Sequence, residues 1–361
     1  MPLRFHWRML MGGEEAGPTR SAMNSRVETG LPDLEAQISF CRSAEESGID
    51  SLLTDFGFSK PDPILLAAAL GMATQKIKFI VAYRSGLLCP TIFVQQLNTL
   101  SALIDGRFSL NIVAGHSPQE QRYYGDYLSH DERYARTEEL LSICHSLWKH
   151  NGEVSFSGKY YKLENARLNT PFVSRERSSP EIFIGGSSPD AQRLAINHGT
   201  CWMRIGDAPE KVRPQILPAL NAGIEVGLRM AIIARPTREE AIGAAHSLIE
   251  GLDVKAKDEE KEKEFVRNSD SVSVKAVYGL ETEWLTPYLW TGAVRRIGGT
   301  AIALVGSPEE IASAIMVYRE IGVTQFIFSG WPKLDEMTYF GKEILPLIRR
   351  KERMLSRAHS S

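Results

Sequence analysis

Short apolar runs alternate with stretches in which apolar residues recur every three or four positions, almost from one end of the chain to the other. Leu3–Met9, Ser51–Thr54, Ile77–Ala82, Phe108–Val113, Glu181–Ile184, Thr200–Met203, Val226–Ala234 and Gln325–Ser329 have the length and composition of strands. Between them, Asp33–Ser47, Pro63–Ala73, Ile92–Ile104, Arg133–His150, Pro189–His198, Pro209–Val226, Arg238–Leu252 and Pro308–Ile321 carry the helical period. Strand-then-helix repetition implies parallel strands joined by crossover helices. Eight such strands suit a closed (β/α)₈ barrel, whereas an open doubly wound sheet more often uses about five to seven. The expectation is therefore one α/β barrel domain, a TIM barrel with insertions, over residues 1–361.

Three insertions interrupt the alternation. Met11–Pro32 is rich in Gly, Pro, Ser and Thr, and Asn151–Pro180 contains a hairpin pattern over Val154–Leu163. Asp253–Phe265 is almost wholly charged, and a polar stretch continues from it to Thr286. A solvated charged helix and a mobile lid both fit that third segment.

Composition narrows the partners. The 361 residues hold 42 basic and 44 acidic side chains, with no long basic stripe, so neither nucleic acid nor an anionic membrane surface is expected. The longest apolar stretches, such as Pro63 to Met72, are too short to span a bilayer, and the N-terminus reads as a first strand rather than a signal peptide. Cys41, Cys89, Cys144 and Cys201 form no C-x-x-C pair, which fits a reduced, cytoplasmic protein.

Chemistry in a barrel collects where strands feed the following loops. The richest such junction is Glu181-Ile-Phe-Ile-Gly-Gly-Ser-Ser-Pro-Asp190, where a strand runs into two glycines and two serines and a helix follows at once. Glycines allow close backbone approach, and serines at a helix start sit beside N–H groups with no helical partner. That is how a phosphate seat is built, although any strand–turn–helix junction also needs small residues and a cap. Other strand ends offer Asp55, Tyr83-Arg84-Ser85, Gly115-His116-Ser117, Arg204 and Gly330-Trp331-Pro332, and Arg229 lies within the seventh strand. Arg229, flanked by Leu228 and Met230, is expected to point inward to an anion or a carboxylate, because an unpaired charge in an apolar barrel is costly. His130 and Tyr134 lie one turn apart on a helix that Ser129 or Asp131 could cap. No G-x-G-x-x-G, P-loop or H-E-x-x-H occurs, no metal site is expected, and Gly115-His-Ser-Pro-Gln119 lacks the second glycine of a nucleophile elbow.

In order along residues 33 to 348, several motifs resemble the bacterial luciferase-like flavin monooxygenases, most closely their alkanesulfonate monooxygenase branch. They are Ile77–Ser85, Asp105–Glu120, His130-Asp-Glu-Arg-Tyr134, Ile184-Gly-Gly-Ser-Ser188, Leu289-Trp-Thr-Gly292, Ala303-Leu-Val-Gly306 and Phe328-Ser-Gly-Trp-Pro332. The resemblance implies a barrel that takes reduced FMN (FMNH₂) from a separate NAD(P)H-dependent FMN reductase. It also implies that O₂ is activated as a (hydro)peroxyflavin, in a site dried by a mobile lid at 253–286. By correspondence, Asp55, Tyr83, His130, Tyr134, Gly186, Ser187 and Ser188 fall at flavin-binding positions, with the serines and Tyr134 near the phosphate.

The substrate side departs from the sulfonate pattern. Met11 and Ala231 stand where histidines are expected, and Lys60 where a cysteine is. Ile205 replaces a tryptophan, Trp331 a tyrosine and Ile297 the lid arginine, with Arg295 and Arg296 adjacent. The expectation is an FMNH₂-dependent monooxygenase for a small organic substrate that can carry an anionic group. In it Arg229, with Arg84, Arg204 or Arg295 and Arg296, would bind the anion, and His116 and Trp331 would line the pocket. A homodimer or homotetramer is implied. Two alternatives stay open: an oxidoreductase of the same superfamily using deazaflavin F420, and a flavin-binding protein without catalysis.

Overall fold

Each of the eight apolar runs becomes a strand, and the eight strands pair in parallel until the last meets the first. The computed structural model describes residues 2–11, 31–115, 117–149, 152–250, 263–264 and 266–358. Its strands are β1 (Arg4–Arg8), β2 (Ser51–Thr54), β3 (Lys78–Arg84), β4 (Phe108–Val113), β5 (Val154–Ser157), β6 (Lys162–Ala166), β7 (Glu181–Gly185), β8 (Cys201–Ile205), β9 (Glu225–Ala234), β10 (Leu289–Trp290), β11 (Ala303–Gly306) and β12 (Val323–Ser329). The barrel runs β1-β2-β3-β4-β7-β8-β9-β12, and β12 pairs back onto β1. This is the (β/α)₈ architecture that the alternation predicted. The predicted hairpin is the antiparallel pair β5–β6.

Helices cover the outside. Several begin with proline just after a polar cap, as at Asp62-Pro63, Ser188-Pro189 and Ser307-Pro308. Proline there sacrifices an N–H that has no helical partner anyway. The helix predicted over Pro209–Val226 ends sooner, at Asn221, because Gly223 at φ +76° turns the chain into β9. Sequence periodicity also missed the helices Val272–Tyr278 and Leu345–Ala358 and the short antiparallel pair β10–β11.

Residues alternate between the two faces of each strand. Leu53, Ile80, Ala82, Phe183, Met203 and Ile327 fill the barrel interior, while Phe79, Val81, Phe326 and Phe328 pack outward beneath the helices. Gly227 is required in β9, since a Cβ there would come within 2.3 Å of the Met203 methyl group. The floor is closed by polar contacts. His6 bonds Gln325 at 3.0 Å, and burial lowers its pKa to about 3. Arg4 joins Glu181 at 2.7 Å and also reaches Glu225. Chemistry is left to the opposite end.

β9 is longer than its neighbours. Its first half, Glu225–Arg229, pairs with β8. Its second half, Ala231–Ala234, pairs with β11, while β12 holds the other edge. Residues 12–30, 251–262 and 265 lie outside the described residues, so most of the first insertion and the charged part of the third do too.

Candidate functional site

A cavity of about 540 Å³ opens at the C-terminal mouth of the barrel. Leu53, Ala82, Met203 and Ile327 form its apolar base, and polar strand ends rise around them.

One wall is the glycine–serine turn after β7. Gly186 has φ +129°, and a Cβ there would press within 3.2 Å of the Tyr134 hydroxyl, so glycine both makes the turn and leaves a cradle. Its carbonyl accepts from Trp202 Nε1 at 2.8 Å. The Ser188 side chain caps the helix Pro189–His198 by accepting from Ala191 N at 3.1 Å, and it lies 3.5 Å from the Tyr134 hydroxyl. Burial pushes the Tyr134 pKa up, so its hydroxyl stays protonated. The His130 ring packs against Tyr134 at 4.8 Å, and His130 Nδ1 meets Asp131 at 3.0 Å. His130, Asp131 and Asp190 bring potential ligand atoms within 4.8 Å of one another, although that imidazole nitrogen is already engaged.

The third insertion touches this wall. Ser273, on the helix Val272–Tyr278, donates to Ser187 Oγ at 2.8 Å. Asp270 receives Arg133 Nη2 at 2.7 Å, and buried Arg133 also donates to the Ala114 and Leu128 carbonyls. Arg133, Asp270 and Ser273 were not among the residues that sequence reasoning selected. The Arg133–Asp270 and Ser273–Ser187 contacts span 137 and 86 residues, so spacing along the chain carries no signal of them.

The facing wall centres on Asp55. Arg8 Nε donates to its Oδ2, Lys60 Nζ reaches the same oxygen at 3.1 Å, and Arg229 Nη2 lies 3.6 Å from Oδ1. Burial opposes ionisation, but Lys60, Arg8 and Arg229 outweigh it and hold the carboxyl well below its usual range. Arg229 therefore points inward to a carboxylate, as its sequence context predicted. Lys60, standing where a cysteine was expected, has become part of the cluster.

Between the walls lie Arg84, Asn111 and Arg204. Arg84 pairs with Glu120 at 2.8 Å and stacks on Phe56. Its Nε and Nη1, together with Asn111 Oδ1, are buried without hydrogen-bond partners. Unsatisfied buried groups cost stability, and several of them around one cavity mark a place for a polar ligand. Ile205 and Ile297 add apolar surface where the sulfonate pattern has a tryptophan and an arginine.

The cavity thus brings together Asp55, His130, Tyr134, Gly186, Ser187, Ser188 and Arg229. Four expected members lie elsewhere, and His116 is outside the described residues. Ala82 and Arg84 face the cavity, so Tyr83 between them must face out; its ring stacks on Phe93 and its hydroxyl accepts from Leu88 N. Arg295 and Arg296 donate to the carbonyls of Leu280 and Ile249, and Ile297 and Gly298 line the cavity in their place. Trp331 packs with Ala231, Ile233 and Trp290 in a separate cluster above the barrel. β12 has ended at Ser329, and the turn carries the ring off the inward face.

The sequence profile of the luciferase-like monooxygenase family matches residues 9–325. Among solved structures, a riboflavin lyase with modified FMN and riboflavin superposes with TM-score 0.77 at 18% identity, covering 98% of this chain and 92% of the other. EDTA monooxygenase from Chelativorans sp. BNC1 gives 0.76 at 20% identity, over 97% and 94%. An F420-dependent secondary alcohol dehydrogenase gives 0.65 at 18% identity, over 96% and 99%. At such identities the likeness is one of fold.

Proposed function

The chain belongs to the luciferase-like monooxygenase family, and from that premise we propose that it is a two-component monooxygenase. In this reading it takes FMNH₂ from a separate NAD(P)H-dependent reductase and oxygenates a small organic anion with O₂. The observation that carries the reading is the Gly185–Ser188 turn, with Tyr134 beside it, at one end of a cavity whose other end holds Arg229. Ser187, Ser188 and Tyr134 would hold the phosphate, and Asn111, with its unpartnered Oδ1, would accept from a ring or ribityl donor. The bound reduced flavin supplies the electrons that activate O₂.

The protein's own groups orient and dry the site. Asp55, kept ionised, fixes Arg229 at the cavity edge, where the guanidinium can bind a substrate anion. Ile205, Ile297 and the helix Val272–Tyr278 exclude water, and residues 266–286 of the third insertion would act as the lid, with Ser273 its contact to the phosphate turn, while the rest of the expected lid lies outside the described residues. The described cavity carboxylates Asp55, Glu120 and Asp270 are each paired with cations, so none of them is poised as a general base. The same reading makes the protein a cytoplasmic homodimer or homotetramer, which sedimentation would check. Among the described residues no helix is long and apolar enough to cross a membrane.

The test is anaerobic titration with FMNH₂ and with F420, followed by a metabolite screen under isotopically labelled O₂. Tight FMNH₂ binding and a labelled product are expected. Binding of F420 alone would replace the oxygenase with a hydride-transfer enzyme, and flavin binding without any labelled product would leave only a binding protein.

A further inference from the structure

Behind the glycine–serine turn lies a second cavity of about 460 Å³, whose walls include Trp202, Gln192 and Gln215. Ser187, Ser188, Ser273 and Arg204 line both cavities, so they form the partition between them. Arg204, at the end of β8, is only 8% exposed. Its Nη2 donates to the neutral amide oxygen of Gln215, its guanidinium lies 4.7 Å from the Trp202 ring centre, and its Nε and Nη1 are buried without partners. Among the described residues no carboxylate forms an ion pair with it. A guanidinium held this way is a strained arrangement on its own, because a buried cation normally requires an anion.

We propose that Arg204 is the counter-ion of a phosphoryl group lying against Ser187 and Ser188, at the partition between the two cavities. The proposal rests on the flavin reading of the larger cavity. The turn itself offers hydroxyls and no cation, and Arg193 of the helix that follows it is paired with Asp190 at 2.8 Å. Arg8, Lys60 and Arg229 engage Asp55, and Arg84 engages Glu120. That leaves Arg204 beside the serines. A phosphoryl oxygen is a better acceptor for guanidinium than the Gln215 amide, so arrival of the ligand should draw Nε or Nη1 toward it. The phosphoryl could be the monoester of FMN or the diester of a deazaflavin such as F420, and the second cavity gives a diester's continuing arm a place to go.

The experiment compares wild type with Arg204→Gln and Arg204→Lys by anaerobic fluorescence titration, using FMN, riboflavin, F420 and the phosphate-free deazaflavin. Arg204→Gln is expected to weaken FMN about 100-fold while changing riboflavin less than about threefold, with Lys recovering part of the loss. The thermal midpoint of the ligand-free Gln variant should stay level or rise, since an unpaired buried charge has been removed. The same split seen only between F420 and its phosphate-free counterpart would keep Arg204 as counter-ion and overturn the FMN reading. Equal losses for FMN and riboflavin, or no loss for any ligand, overturn the proposal. Wild-type protein that binds each phosphorylated cofactor no better than its phosphate-free form overturns both.

Discussion

On the β1–β2–β9 side of the cavity, one carboxylate is held by three cations: Lys60 at 3.1 Å from Asp55, Arg229 at 3.6 Å, and Arg8 on the same oxygen as Lys60. On the β7–β8 side, hydroxyls face one another, Ser273 to Ser187 at 2.8 Å, and the nearby guanidinium of Arg204 hydrogen-bonds a neutral amide. The first wall compensates its buried acid internally. The second presents hydroxyls and a guanidinium that has no ion-pair partner among the described residues. Such a difference within one pocket separates a wall that is a finished part of the fold from one that is completed by ligand.

Changes at Asp55 should break this contrast most forcefully. Asp55→Asn leaves three cations around a neutral group and is expected to cost about 3–5 kcal/mol in urea denaturation. A cost under about 1 kcal/mol would mean that the cluster is no structural unit. The sign of its pH dependence also follows. The folded pKa of Asp55 is lowered, so its contribution is present above the unfolded value of about 4 and is lost as pH falls toward the folded one. Wild-type and Asp55→Asn stability curves should therefore converge below about pH 4.

The hydroxyl wall should respond in binding as well as in folding. Alanine at both Ser187 and Ser188 is expected to weaken FMNH₂ by about 2 kcal/mol, roughly 30-fold, in the anaerobic titration. Unchanged affinity would move the phosphate elsewhere. Alanine at Ser188 alone should also cost about 1 kcal/mol of stability, because that hydroxyl caps a helix. Ser187→Ala removes no cap but leaves the Ser273 hydroxyl without that acceptor, and is expected to cost about 1 kcal/mol of stability. The smallest effect is expected from Lys60→Met, below about 1 kcal/mol, since the ammonium is partly exposed and Arg8 and Arg229 still hold Asp55.

Much of this arrangement was legible before any coordinates. Strand ends are marked by where apolar runs stop, so the Gly185–Ser188 turn and Asp55 are found from the pattern alone, and Arg229 stands out as a charge inside an apolar strand. Tyr83 shows a rule available in the sequence but overridden by family correspondence: with Ala82 and Arg84 facing in, the residue between them faces out. Trp331 lies beyond the end of its strand, where alternation has no authority. Arg133, Asp270 and Ser273 were illegible for another reason. Each acts through a contact made only by tertiary folding, and a serine in a polar stretch looks like any other.

The divided edge of β9 has a consequence for how this protein could change over time. Barrel closure uses Glu225–Arg229 against β8 and Val226–Ala231 against β12, while β11 attaches only above Arg229. Among the described residues, the segment between the helix Arg238–Glu250 and β11 therefore joins the sheet at an extension of the barrel rather than in its ring, and meets the ring's loops through Asp270 and Ser273. That segment can lengthen, shorten or be exchanged without breaking a hydrogen bond that closes the cylinder. Substrate scope could accordingly be altered by recombination, as an interchangeable cassette, provided that the contacts of Asp270 to Arg133 and of Ser273 to Ser187 are kept.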